Sequence, residues 1–549
     1  MTQTEDITTT PEMQAAGFQD QAAAEAGPDA GAPPLTRSRP KSLIGNGLWS
    51  VLLTVWITGV TFFLTPFLIL KIGTDHYGLF ILLMSISGMM GLLDLGLGEA
   101  TLRYVAFYYG RNDMEGINRV MGATFAVYLV MGLIGWAAMF FGAGWIASLL
   151  SLSDADRQLA VGLMRLTAFT FGLSLVGGVF ASVPQALQRF DVSTKIGIAQ
   201  SIFQVAGTVT LLVAGFGIYQ LVLWGVATAA FTQAVYTINA KRLLPGLRIR
   251  PSPSRDGLRE VFGYGLISFS TSVINTINWN VDRFLLGILV TATAVAKLVV
   301  PQQIALRGHF LIRGACSGLF PRFSAERETQ VRQSLFLHAT WIATAASVIL
   351  FVPTMVVLPR FLLWWLGPDF GSNAAFIGQL ICIGCILRGP GGVIDAAFKG
   401  CGKPQYLTLE VIILGILGIT TNVILISLLG LSGAGYSYVI TGLIFPCMLA
   451  VAWRSVMSGR RIAALLRPVG LPLLIGLLFS GLALALRGTL DHSSLSVLLG
   501  AMAAAMAAAA GLLVGLDYVL GGKDSYGIPA IRRCLGVVRR MPTPSSSTA

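Results

Sequence analysis

A chain of 549 residues with 54% hydrophobic and 11% charged residues and a mean hydropathy of +0.74 is far from soluble globular composition, where about a quarter of residues are charged. It has the composition of a polytopic membrane protein. The net charge of +13 does not mark a nucleic-acid binder, because the basic residues are spread thinly between apolar blocks. Six cysteines, most in or beside apolar segments, argue against a disulfide scaffold and suggest neither metal nor redox chemistry.

Residues 1–42 read as a disordered cytoplasmic tail, with six acidic residues before the first basic one at Arg37 and no sustained apolar period. It lacks the positively charged start of a secretory leader. From residue 43 onward, apolar stretches of roughly 20 residues, each long enough to cross ~30 Å of hydrocarbon as a helix, follow one another with short polar breaks. Fourteen are expected, at 43–68, 78–99, 120–143, 161–183, 196–214, 217–238, 261–281, 293–320, 335–358, 374–398, 405–429, 433–453, 468–487 and 494–516. Alternate connections divide Lys and Arg 28 to 5, and the bias of basic residues toward cytoplasmic loops places both termini in the cytoplasm.

The most basic connection, Lys241 to Glu260, contains three prolines and reads as a linker between two six-helix halves. ALQRFDVSTK (Ala186 to Lys195) and AAFKGCGKPQ (Ala396 to Gln405) occupy corresponding junctions, as do GFGIY (Gly215 to Tyr219) and GLSGAGY (Gly430 to Tyr436). An even number of crossings per half makes these parallel repeats. The expected fold is therefore all-α, with about 14 transmembrane helices. Two pseudo-symmetric six-helix lobes (43–240 and 261–458) flank a basic linker (241–260), followed by two further helices (459–516) and a basic cytoplasmic tail (517–549).

An ionised side chain at the centre of a membrane helix costs about 2.5 to 3.5 kcal/mol on insertion scales, so it must face a wet cavity or a partner. Five basic residues qualify: Arg165, Lys297, Arg307, Arg313 and Arg388. Arg388 and Asp395, seven apart on one face, read either as a structural pair or as a substrate site. Arg165 and Lys297 either snorkel or face the cavity. RGPGG (Arg388 to Gly392) puts a proline and glycines in the middle of an apolar span. Such a break either lines a cavity, the signature of transporter binding sites, or is a packing kink. On the seventh stretch, NTINWNVDR places Asn275, Asn278 and Asp282 on one face. They suit sugar hydroxyls, ion coupling through Asp282, or helix–helix glue. Gln200 and Gln204 form a weaker pair. No Walker A motif is present and the outer loops are too short for a catalytic domain, so neither an ATP-driven pump nor an enzyme is expected, and no cofactor.

GLLDLGLGEATLRYVAFYYGRND (Gly91 to Asp113) resembles the end of the second helix in the oligosaccharide flippases of the multidrug/oligosaccharidyl-lipid/polysaccharide exporter superfamily. FLILKIGTDHYGLF (Phe67 to Phe80), VDRFLLG (Val281 to Gly287) and FKGCGKPQY (Phe398 to Tyr406) extend the likeness over about residues 43 to 455. The resemblance implies two lobes facing each other across a cationic cavity in the plasma (inner) membrane. It further implies flipping of a polyprenyl-diphosphate-linked oligosaccharide for O-antigen or exopolysaccharide biosynthesis, in company with polymerase or export machinery. Arg307 and Arg388 are then the first candidates for the diphosphate, with Arg165, Lys297 and Arg313 next. The three basic residues of the eighth stretch share no straight helical face unless Pro301 bends it. The alternatives are a cation-coupled multidrug exporter, a peptidoglycan-precursor flippase and, less favoured by the short loops, a membrane glycosyl polymerase or ligase.

Overall fold

The computed structural model describes residues 43–458, 461–485 and 495–521; the tail 1–42 and residues 522–549 of the second tail lie outside the described residues. Among the described residues every regular element is a helix, as hydrocarbon demands of a chain that must satisfy its own backbone polar groups. In chain order these are α1 (Leu43–Met90), α2 (Leu97–Gly110), α3 (Met114–Leu149), α4 (Asp154–Ala186), α5 (Phe190–Val213), α6 (Ile218–Leu243), α7 (Arg255–Leu289), α8 (Ala292–Cys316), α9 (Leu319–Ala325), α10 (Thr329–Leu366), α11 (Pro368–Leu387), α12 (Gly391–Gly400), α13 (Gln405–Leu429), α14 (Leu431–Gly442), α15 (Ile444–Ser455), α16 (Leu471–Ala485) and α17 (Leu495–Gly521).

Among the described residues nine spans are long and apolar enough to cross a membrane, and shorter apolar helices follow at the C-terminal end. The protein is a multi-pass membrane protein. Large apolar side chains such as Phe63, Leu70, Phe141 and Leu428 project from its exterior, a surface suited to lipid rather than water. Two junctions differ from the sequence expectation. The first two stretches form one helix, α1, kinked where Gly73 takes a φ of +82°, a conformation open to glycine at little cost. In the basic linker, the non-helical part runs only from 244 to 254. Pro245, Pro251 and Pro253 prevent helix, and the strap between α6 and α7 is pinned to α3 by Arg248 N–H to Asn118 Oδ1 (2.8 Å) and Ser252 N–H to the Gly122 carbonyl (3.0 Å).

Short polar side chains start the helices where the sequence supplies them. Asp113, Ser153, Ser254 and Thr291 accept the N–H of Gly116, Asp156, Gly257 and Ala294 at the heads of α3, α4, α7 and α8. Connections that the Lys/Arg count assigns to one side contact one another. At the basic-poor end, His76 approaches Asp156 at 3.9 Å, Thr293 donates to Asp75, and Ser151 N–H reaches the Gly287 carbonyl at 3.1 Å. At the basic-rich end, Asn118 reaches the Gly246 carbonyl at 3.1 Å, Arg119 pairs with Glu260 at 3.4 Å, and Gln333 reaches the Met457 carbonyl at 2.7 Å.

Packing repeats between the halves: α4 lies against α3 and α6, and α11 lies against α10 and α14. The halves meet where α1 packs on α8 and where α7 packs on α2 and α3. This explains the aspartate-glycine stretch. Tyr128 donates to Asp94, fixing the turn after α1, and Gly96 at φ +71° brings its backbone against Gly265 of α7, where a Cβ would overlap the Gly265 carbonyl.

The last two helices dock on α10. Arg467 donates to Oδ1 of the fully buried Asp517 at 2.9 Å and to its carbonyl at 2.7 Å. Removing one member of a buried pair leaves the other uncompensated. Asp517→Ala should therefore destabilise the detergent-solubilised protein by about 3 kcal/mol, and Arg467→Leu/Asp517→Leu should recover most of the loss. Thermal unfolding of the three variants measures this.

Candidate functional site

α7 and α8 are absent from the nine apolar spans because they carry the polar residues of the second half. With α13, α14 and the break between α11 and α12, they surround a cavity of about 170 Å³. The break is the RGPGG segment: α11 ends at Leu387, Gly389 N–H bonds the Ile386 carbonyl at 3.1 Å, Gly391 N–H bonds the Arg388 carbonyl at 3.0 Å, and α12 starts at Gly391. Proline and glycine thus end one helix and begin another, and Arg388 sits at the C-terminus of α11, where the helix dipole favours a cation.

Arg388 lines this cavity. Its Nη2 donates to Thr441 Oγ1 at 2.7 Å, its guanidinium lies 3.9 Å from the centre of the Tyr438 ring, and its buried Nε has no partner. Among the described residues no carboxylate lies within ion-pair distance of Arg388. The pairing of Arg388 with Asp395 suggested by their spacing does not form, because the break turns the two residues away from a common helical face. Asp395 pairs instead with Arg313 of α8, which also lines the cavity. On α7, Asn278 and Asp282 line it too. Asp282 accepts from Gln302 Nε2 at 3.1 Å, and Gln302 Oε1 accepts from Arg283 at 3.3 Å. The side chain of Asn275 lies outside the described residues.

The remaining candidates lie elsewhere. Arg165 is exposed, with its guanidinium 5.3 Å from the Phe140 ring centre. Lys297 and Arg307 are half-buried and do not line the cavity, so of the three basic residues on α8 only Arg313 faces it. The sequence reading omitted Gln302, Asn422, Ser437, Tyr438 and Thr441, all of which line the cavity. Their signal was faint: Gly418/Asn422 and Ser437/Thr441 are i, i+4 pairs on otherwise apolar helices, as common in packing as in sites. His309, buried with an unpartnered Nδ1, also faces the cavity.

A second cavity of about 430 Å³ occupies the first half, between α1, α4, α5 and α6. It is the counterpart by helix order, but uncharged: Gln200, Gln204 and Gln233 face it among hydroxyl and apolar groups. The two halves have the same architecture and different chemistry.

The family model for polysaccharide biosynthesis protein matches residues 75–361, and the chain belongs to this family. A curated protein of Shigella flexneri, named "Putative O-antigen transporter", is 20% identical over 385 residues, covering 67% of this chain and 87% of the relative. The fold is that of the lipid II flippase MurJ in its inward closed conformation (TM-score 0.68, 13% identity, 86% of this chain and 99% of that one). It also matches an inward-facing multidrug-resistance MATE transporter of the MOP superfamily (TM-score 0.56, 15% identity, 75% and 96%). The protein is thus a multi-pass membrane protein of the polysaccharide biosynthesis family, with the fold of these two structures.

If the cavity of the second half is hydrated, a cysteine in it will react with water-soluble reagents. In a cysteine-free background, Asn278→Cys should be modified by a charged methanethiosulfonate at least about tenfold faster than Leu163→Cys, which lies in the fully buried core of the first half.

Proposed function

We propose that this protein flips a polyprenyl-diphosphate-linked oligosaccharide from the cytoplasmic to the outer leaflet of the plasma membrane, by alternating access of its two halves, for surface or exopolysaccharide synthesis. The observation that carries this reading is Arg388: a cavity-lining arginine held by a hydroxyl and an aromatic ring, with no carboxylate to neutralise it. A cation kept at membrane depth without a counter-ion is a site for an anion, and a planar guanidinium suits phosphate oxygens.

Arg313 adds a second positive group on the same wall. Asn278, Gln302, Asn422 and Ser437 offer uncharged hydrogen-bonding groups beside it, the kind that sugar hydroxyls accept from and donate to. A cavity of about 170 Å³ seats a diphosphate and an adjoining ring; the rest of the glycan lies between the halves and the polyprenyl chain stays in lipid. An exporter of organic cations would place carboxylates in this position, whereas Asp282 is already engaged by Gln302. The same diphosphate chemistry serves peptidoglycan precursors, so the glycan is identified by the substrate that accumulates. Polymerase and export machinery are the expected recipients.

Arg388→Ala should reduce flipping at least about tenfold, the loss of one charge-assisted contact worth about 1.4 kcal/mol or more, with unchanged membrane abundance. Arg388→Lys should restore only part, since it keeps charge but not the ring contact or the fork. Mass spectrometry of the polyprenyl-linked lipids, with quantification of surface polysaccharide, reads the outcome. Normal export and an unchanged lipid pool in Arg388→Ala cells would overturn the assignment.

A further inference from the structure

The cavity of the first half contains more hydrogen-bonding capacity than its own walls consume. Gln200, Gln204 and Thr208 stand four residues apart along α5, so they share one face, and Thr228 and Gln233 of α6 line the same cavity. The Thr228 hydroxyl is buried without a partner, as is the side-chain carbonyl of Gln233, while Gln204 Nε2 donates to Thr208 Oγ1 at a long 3.3 Å. Gly177 of α4 makes room for Gln233, because a Cβ there would overlap the Gln233 amide. The remaining walls include Leu64 and Phe80 of α1 and Leu221 and Val222 of α6. Among the described residues no charged side chain lines this cavity.

This combination discriminates between occupants. At about 430 Å³ the cavity falls in the range of small-molecule sites, about 300 to 1,000 Å³. Water alone, at roughly 30 Å³ a molecule, would take about ten or more molecules to fill it, many of them against apolar side chains. A polyprenyl chain would suit those walls but leave the glutamine amides and the Thr228 hydroxyl unpaired at membrane depth, which is unfavourable. A carboxylate would lose its hydration and meet no countercharge. A sugar ring satisfies both kinds of wall: its C–H faces pack on leucine, valine and phenylalanine, and its edges reach groups that donate and accept. A glutamine amide presents an N–H donor and a carbonyl acceptor in one plane, the match for an acetamido group or for adjacent hydroxyls. We propose that the first-half cavity is a binding site for an uncharged sugar, with Gln200, Gln204, Thr228 and Gln233 as its specificity-determining residues, and that it takes an acetamido sugar or a plain hexose in preference to a uronic acid. That this sugar belongs to a transported glycan rests on the flippase reading above; the site itself does not. The two halves then divide one substrate, the second holding its charge and the first reading a neutral ring.

The test uses the full-length protein in lipid nanodiscs, with methyl N-acetyl-β-glucosaminide as the neutral probe and methyl β-glucuronide as its anionic counterpart. Saturation-transfer NMR of the sugar follows binding. Wild type should bind the neutral probe, and the glucuronide at least about tenfold more weakly. Gln204→Leu/Gln233→Leu should weaken binding of the neutral probe at least about tenfold, as expected when a site built to hydrogen-bond its ligand loses those groups. Thr228→Val, which keeps the shape of the side chain and therefore its packing, should weaken it at least about threefold. Arg388→Ala, altered only in the second-half cavity, should bind the neutral probe as wild type does. Absence of binding by wild type, or unchanged binding by the glutamine and threonine variants, overturns the site. Equal binding of the glucuronide overturns its selectivity. Displacement of the sugar by undecaprenol makes the cavity a lipid-tail site, and loss of binding in Arg388→Ala puts the sugar in the other half; either overturns the proposal. Normal export by Arg388→Ala cells, together with glutamine-dependent sugar binding, overturns the diphosphate reading and leaves the sugar site standing.

Discussion

The constraint on which the rest of this structure depends is the cost of charge in hydrocarbon. Nearly every polar feature is arranged to meet it. Asp517, fully buried, is met by Arg467; Asp94, at the turn where the halves touch, by the Tyr128 hydroxyl; Asp282 by Gln302 and a backbone N–H; Asp395 by Arg313. Arg388 differs: it lines a cavity, and among the described residues it has no ion-pair partner. Such a cost is retained where function repays it.

The architecture places two cavities of different chemistry in one chain. Each half encloses a cavity between corresponding helices, but the first is neutral and the second charged. The two halves share an arrangement of helices, and under the proposed function only the second carries the charge to hold an anion. The helices joining the bodies, α1 with α8 and α7 with α2 and α3, include the least apolar ones in the chain. Their polar side chains suit a wall between two halves and a polar cavity. The broken helix contributes the rest: its gap delivers Arg388 at a helix end and frees α12 to aim Asp395 at α8.

Much of this was legible in the residues. Hydrophobic runs of the right length locate the helices, and the Lys/Arg alternation separates the two ends, because both depend on composition summed over many positions. The RGPGG break was legible for a different reason: proline and glycine act on their own backbone wherever the chain later goes. Less legible were junctions decided by single dihedrals or by docking. Gly73 turns an expected loop into a kink, and the proline-rich linker between the halves is seen only in the structure to be held by Asn118.

The sequence by itself determined that this is a membrane-embedded helical repeat with intramembrane basic residues and one interrupted helix, since those properties follow from local composition and local backbone chemistry. Only the tertiary structure decided which charges belong together. Spacing along one helix puts Arg388 beside Asp395, but the break redirects both, so Asp395 finds Arg313 eighty-two residues away and Arg388 finds Tyr438 and Thr441. Of Lys297, Arg307 and Arg313, only Arg313 reaches the cavity. The partners of a buried charge are set by how helices distant in sequence pack, and the strength of that pairing depends on ångströms that no periodicity encodes.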